Sequence, residues 1–248
     1  PLGSTANKQG RVAANNICGH ADVFAGVMGS AVCKVFDYTV ARTGLNEKQA
    51  RAAGIDVVST VSVAPDKAHF YPDARNILLK LVVDKATRRL LGVQAVGKGD
   101  AAMRVNAAVA AIGSGMTIDD VAELDLCYAP PYTPAMDNLL TAANIVRNKL
   151  DGLYEAYTVA EVKAKLARGD DMVLLDVRMP SELAARSIPG ALNIPLGKLR
   201  ENCAASLPRD KEIVTFCKIS LRGYEAALIL KSCGFRDVKV MEGGIVLW

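Results

Sequence analysis

From residue 157 onward, short apolar runs alternate with helical patterns, and that alternation leaves few folds open. Met172 to Val177, Glu212 to Phe216 and Asp237 to Met241 are brief runs of the kind that fill a sheet buried on both faces. Between them, Thr158 and Glu161 form a capping box that opens a helix ending at Gly169. A second helical stretch runs from Arg222 to Cys233 and stops at Gly234. Strands separated by helices in this order build βαβ units around a parallel sheet.

The first 150 residues have another rhythm. A short helix is expected from Asn7 to Ile17, with Asn7 available as its cap, and a strand from Val32 to Val40. Asn46 caps a short helix that Gly54 terminates. Ile55 to Val63, Ile77 to Val83 and Leu90 to Val96 read as strands, and the turn Asp84-Lys-Ala-Thr87 makes the last two an antiparallel hairpin. A helix follows from Asp100 to Ile112, with Met103, Ala107, Ala110 and Ala111 on one face and a stop at Gly113 and Gly115. Two prolines make Tyr128-Ala-Pro-Pro-Tyr132 extended and rigid. Residues 151–156 form the seam. The expected fold is an α+β domain, mainly an antiparallel sheet with helices, followed by a small α/β domain with a parallel sheet.

Composition narrows the function. With 51% apolar and 23% charged residues the chain can build ordinary cores. Its formal charge is only +4, and one Trp, seven Tyr and five Phe offer little base stacking, which disfavours nucleic acid as a partner. No apolar run is long enough to span a bilayer. The six cysteines contain no C-x-x-C pair, so a reducing, cytoplasmic setting is expected. His20 and His69 are the only histidines, and no metal site is expected from them.

Cys217 carries the chemistry. It sits where the run Glu212–Phe216 ends and a helix begins, in the loop Cys217-Lys218-Ile219-Ser220-Leu221-Arg222. Loop amides and the helix dipole can converge on its sulfur, and Lys218 and Arg222 add full positive charge. Such surroundings favour a thiolate or persulfide anion. Four residues separate Cys217 from Arg222, a cradle tight enough for one extra sulfur atom and narrow for a tetrahedral phosphate. The plain alternative is a buried cysteine at a strand end.

From about Tyr157 to Trp248 the chain resembles the rhodanese (sulfurtransferase) family. The resemblance rests on Leu174-Leu-Asp-Val-Arg-Met-Pro-Ser-Glu182, Ile188-Pro-Gly-Ala-Leu-Asn-Ile-Pro195, the Cys217 loop and Glu242-Gly-Gly-Ile-Val-Leu-Trp248, in that order. It implies that Cys217 accepts sulfane sulfur and passes it to a thiol. Asp176 and Arg178 would then be framework, and Arg222 would anchor the loop. Ser187 stands where the family often has histidine, a change that leaves the nucleophile untouched.

The earlier part resembles the C-terminal end of the coenzyme A-disulfide reductase branch of the pyridine nucleotide-disulfide oxidoreductases. Ala6-Asn-Lys-Gln-Gly-Arg-Val-Ala-Ala-Asn-Asn-Ile17, Lys34 to Leu45, Leu91 to Val96 and Tyr128 to Tyr132 carry that likeness. It implies the end of an FAD-binding domain over 1–30, a dimerisation domain over 31–150, a linker over 151–156 and a rhodanese domain over 157–248. FAD and NAD(P)H are implied as cofactors of the whole enzyme, with CoA among the candidates, and a homodimer as the assembly. Tyr128 would approach the partner's flavin and Tyr71 the substrate, while Asn7 and Lys8 fall where the family meets flavin and CoA. Met136 and Asn144 occupy positions where lysine and tyrosine contacts to CoA are expected, which favours a persulfide or polysulfide substrate. Gly97-Lys-Gly99-Asp-Ala-Ala102 is the one near match to a dinucleotide turn, and its apparent hairpin context argues against that use. No redox cysteine of the reductase type is placed near the start, so turnover of NADH is not expected from these residues alone. Cys127, Cys18, Cys33, Cys203 and Cys233 are read as packed thiols. The expected function is FAD-dependent reduction of persulfide, polysulfide or CoA-disulfide sulfur, with Cys217 as carrier. Its rivals are a stand-alone sulfurtransferase and a non-catalytic docking module.

Overall fold

The structure is a computed structural model that describes residues 2–248, without the side chains of 2 and 203–205. The expectation for Cys203 therefore lies outside the described residues. Five strands form the first sheet: β1 (Ala31–Val35), β2 (Tyr38–Gly44), β3 (Val57–Pro65), β4 (Asn76–Asp84) and β5 (Leu90–Gly97). Their order is β1-β2-β5-β4-β3, antiparallel throughout. The expected single strand from Val32 to Val40 is instead a hairpin that turns at Phe36 and Asp37. Phe36 takes φ 51°, a left-handed conformation that no glycine announces.

One face of this sheet is covered by α3 (Ala101–Gly113) and α5 (Asn138–Leu150). Ile77, Leu79, Leu81 and Val83 alternate along β4 into the core, where they meet Val105 and Ala108 of α3 and Leu139 and Val146 of α5. The buried stripe of α3 is Ala101, Arg104, Val105, Ala108 and Ala111, so the expected face was rotated. Met103 is 39% exposed and Ala110 is open to solvent. A helix made largely of alanine offers little contrast from which to read its inner side. The helix α1 (Leu2–Ile17) begins five residues before Asn7. Asn7 donates to the Gly3 carbonyl at 2.8 Å and is an interior residue, so it caps nothing. Asn46 caps α2 (Glu47–Ala52) in a full capping box with Gln49. The short α4 (Ile118–Ala122) follows α3. The segment after Tyr128 is not fully extended: the amides of Tyr132 and Thr133 fold back on the Ala129 carbonyl.

The second sheet holds β6 (Ala156–Tyr157), β7 (Met172–Asp176), β8 (Leu192–Asn193), β9 (Glu212–Phe216) and β10 (Val238–Met241). All its pairs are parallel, in the order β6-β10-β9-β7-β8. The helices are α6 (Val159–Arg168), α7 (Pro180–Leu183), α8 (Leu196–Ser206), α9 (Leu221–Ser232) and α10 (Gly244–Leu247). The seam is no free tether, because Tyr154 is buried in the second core and Ala156 already pairs in β6.

The near match to a dinucleotide turn has a packing explanation. A Cβ on Gly97 would lie 2.6 Å from the Asn76 carbonyl, and one on Gly99 would lie 2.6 Å from the Asp66 carboxylate. That carboxylate receives the amides of Arg75 and Asp100, and β5 pairs antiparallel on both sides. The glycines therefore admit a neighbouring strand and a turn. Gly97→Ala should cost about 1–3 kcal/mol in denaturant unfolding, whereas Gly197→Ala, with open space around the new carbon, should cost nothing measurable. Equal midpoints for the two would contradict this packing account.

Candidate active site

Cys217 lies directly after the central strand β9 and is 1% exposed, within the core that includes Leu175 and Val240. Its carbonyl accepts the Ile245 amide at 2.9 Å, and the Lys218 carbonyl accepts that of Val246 at 3.2 Å. Gly244 makes this approach feasible. It takes φ 55°, and a Cβ there would sit 2.4 Å from the Cys217 carbonyl oxygen. Ser220, which precedes α9, is held at φ 97° without a side-chain cap, and its hydroxyl reaches the Met241 carbonyl at 3.4 Å. Backbone strain of this kind persists only where its surroundings impose it. Among the described residues, the backbone N–H groups from Lys218 to Gly223 donate to no backbone or side-chain acceptor. A loop of unpaired donors beside a buried sulfur is suited to an anion.

Arg222 forms a bidentate pair with Glu182 of α7, both contacts at 2.7 Å. That guanidinium, ahead of the Met179 amide, holds the Glu182 carboxyl at about 2. In return Glu182 raises Arg222 above its ordinary range, with the Cys217 thiol a smaller contributor. Asp176 and Arg178 are buried together at the end of β7, with Nη2 at 2.6 Å from the carboxylate. Arg178 also donates to the carbonyls of Glu182 and Arg186, so it ties down the segment that carries Glu182. Glu182 was not singled out from the sequence. Its signal was present all the same, an acid within the same motif as Asp176 and Arg178.

The loop residues Ile219, Ser220 and Leu221 line a cavity of about 420 Å³ between the two sheets. Its opposite wall carries Val61, Val63, Met136 and Asn144, and Tyr154 and Tyr224 meet edge to face within it at 5.4 Å. Met136 and Asn144 thus share a cavity with the Cys217 loop. The Asn144 amide, however, donates to the Leu140 carbonyl and accepts from Arg147, both within its own helix. Burial, followed by the charge of Glu242, raises the Tyr154 hydroxyl well above the usual range, so it stays protonated.

The other predicted positions lie elsewhere. Tyr71 and Tyr128 stand on two loops joined by the Ala68 amide and the Pro130 carbonyl, and Tyr128 is 54% exposed. Lys8 lines a different cleft of about 470 Å³ beside Gly26 and Val109, and Asn7 is exposed on α1. Cys18, Cys33 and Cys127 are exposed, which corrects the reading of them as packed thiols. Cys33, for example, lies on β1, where every residue faces solvent. Cys233 is half-buried against the second core. Among the described residues no cluster of His, Cys, Asp or Glu is arranged to hold a metal, and no helix is long and apolar enough to cross a membrane.

Comparison with known proteins matches residues 30–140 to the pyridine nucleotide-disulphide oxidoreductase dimerisation domain and residues 158–248 to the rhodanese-like domain. An NAD-dependent persulfide reductase from A. fulgidus aligns over 100% of this chain and 44% of its own, with 47% identity and a TM-score of 0.93. Bacillus anthracis CoADR-RHD aligns over the same shares with 37% identity and a TM-score of 0.88. A CoA-dependent NAD(P)H sulfur oxidoreductase from Pyrococcus furiosus is 44% identical over 147 residues, 59% of this chain and 33% of that protein. The chain therefore spans less than half the length of each of these relatives. The chain thus contains a pyridine nucleotide-disulphide oxidoreductase dimerisation domain, to which a rhodanese-like domain is joined.

Proposed function

We propose that Cys217 carries sulfane sulfur within an enzyme that reduces persulfide, polysulfide or CoA-linked sulfur. The observation that supports this most is the run of unpaired backbone donors from Lys218 to Gly223 around a buried cysteine. The Cys217 thiolate attacks the outer sulfur of a donor such as thiosulfate. A new S–S bond forms, the donor's S–S bond breaks, and sulfite leaves with the electron pair. A thiolate acceptor then attacks the outer sulfur of the Cys217 persulfide and restores the Cys217 thiolate. The cavity lined by Ile219 and Leu221, with Met136 and Asn144 opposite, is the approach for the acceptor.

The wider reading is a homodimeric NAD(P)H-dependent reductase with FAD, in which CoA is a substrate or carrier: the relatives' names supply NAD(P)H, persulfide and CoA, the matched domain supports the dimer, and FAD comes from the family likeness alone. The turn before α3 is no dinucleotide cradle, since its glycines admit Asp66 and β4. Tyr128 and Asn7 are proposed as flavin neighbours, and Tyr71 and Lys8 as substrate neighbours, on the family likeness and their accessibility.

Intact mass after incubation with thiosulfate, or with a low-molecular-weight persulfide, should show one added sulfur atom in the parent and none in Cys217→Ala. A parent that gains no sulfur from either donor would overturn the carrier role. The Arg222–Glu182 pair makes a second prediction. A carboxyl lowered from 4.5 to about 2 in the folded state contributes stability that is complete above its unfolded value and is lost as pH falls through its folded value. The stability difference between the parent and Glu182→Gln should therefore be largest above about pH 4.5 and shrink toward pH 2. A difference independent of pH over that range would show that the pair is not what holds Glu182.

A further inference from the structure

The carboxylate of Glu242 leaves its own domain. It is 3% exposed, yet every partner it has among the described residues belongs to the first domain. The Thr60 hydroxyl donates to it in a short hydrogen bond, the Val61 amide lies at 3.4 Å, and Lys149 Nζ pairs with it at 2.8 Å. Lys149 also donates to the Ser59 carbonyl at 2.7 Å. Burying a carboxylate and an ammonium costs several kcal/mol for each ion and is offset only by a closely fitted set of partners. A general adhesive between two domains would not need such a cluster, because apolar contact does that more favourably. Its location suggests a more specific role.

Glu242 immediately precedes Gly243 and Gly244, and that turn holds the sulfur loop. Ile245 and Val246 donate to the carbonyls of Cys217 and Lys218, and Ser220 reaches the carbonyl of Met241 on the other side. The segment from Met241 to Val246 thus grips the loop at three points, while its own side-chain anchor is fastened to β3 and α5. We propose that Lys149, Thr60 and Glu242 form a positioning device, through which the dimerisation domain sets the shape of the Cys217 loop. The same device registers the loop against the cavity, because Val61 and Val63 of its wall follow Thr60 on β3. The inference rests on the carrier role proposed for Cys217, and none of the three residues touches the sulfur.

The test uses the full chain and three variants, Lys149→Met, Thr60→Val and Glu242→Gln, with three readouts at one temperature well below unfolding. These are the rate of Cys217 alkylation by iodoacetamide, the rate of sulfur loading from thiosulfate, and the thermal midpoint. Lys149→Met should slow both rates at least about five-fold, since sub-ångström misplacement of a reacting group costs rate steeply. Thr60→Val should slow them about two-fold with little change in midpoint, as expected for one lost hydrogen bond. Glu242→Gln keeps an acceptor for Thr60 and Val61 but leaves the Lys149 ammonium without its counter-charge, so it should slow both rates by an amount between those of Thr60→Val and Lys149→Met. Variants that melt lower but react at the parent rate would overturn the proposal and leave a domain-joining contact. If Lys149→Met does not fold, parent-like rates in Thr60→Val overturn it equally. A parent that alkylates at Cys217 but takes up no sulfur sinks the carrier role instead, and the alkylation rates still decide the positioning.

Discussion

Two backbone carbonyls, those of Cys217 and Lys218, determine the shape of the sulfur loop because each is tied to an amide of the turn after β10. Such a tie requires the turn to lie closer to the loop than any side chain permits, and Gly244 is the residue that allows it. The strand order supplies the rest. With β9 at the centre and β10 and β7 on either side, the residues that follow three adjacent strands meet at one sheet edge. Cys217 follows β9, Glu242 follows β10, and Arg178 follows Asp176 at the end of β7. A parallel sheet delivers its functional groups to the carboxyl ends of its strands, and this sheet does so with Cys217 between two buried carboxylates, Asp176 and Glu242.

Three ion pairs surround the loop, and their burial separates their roles. Asp176–Arg178 and Glu242–Lys149 are withdrawn from solvent, where losing one partner strands a charge. Arg222–Glu182 is about one third exposed on each side, so solvent weakens it. Arg222 is thus the least buried cation of the three pairs, and it holds Glu182 while standing next to Cys217.

Much of this was legible in the residues. The change of rhythm near residue 157, the antiparallel character of β4 and β5 and the cysteine at a strand end all follow from local patterns that tertiary context did not override. Other features depend on context that no local pattern carries. The hairpin at Phe36 and Asp37 turns without glycine or asparagine, so its strands merge into one β-rich run. The helix α5 was not expected, although Asp137 caps it and Leu139, Ala142, Ala143 and Val146 recur at helical spacing on its buried face. Glu242 looked like part of a family motif, and its partners lie more than 90 residues away in sequence, on β3 and α5. Exposure of Cys18, Cys33 and Cys127 was equally hidden, since a cysteine is apolar enough to be read as core wherever it falls.

The strand β1 has a consequence of its own. It forms one edge of the first sheet, every residue from Ala31 to Val35 faces solvent, and Val32, Val35 and Phe36 add apolar surface there. An open strand edge of that composition can template pairing with another extended segment, and nothing on β1 beyond Lys34 opposes it. β1 is therefore an edge at which this chain can pair with another strand, and it lies on a different sheet from the one that carries Cys217.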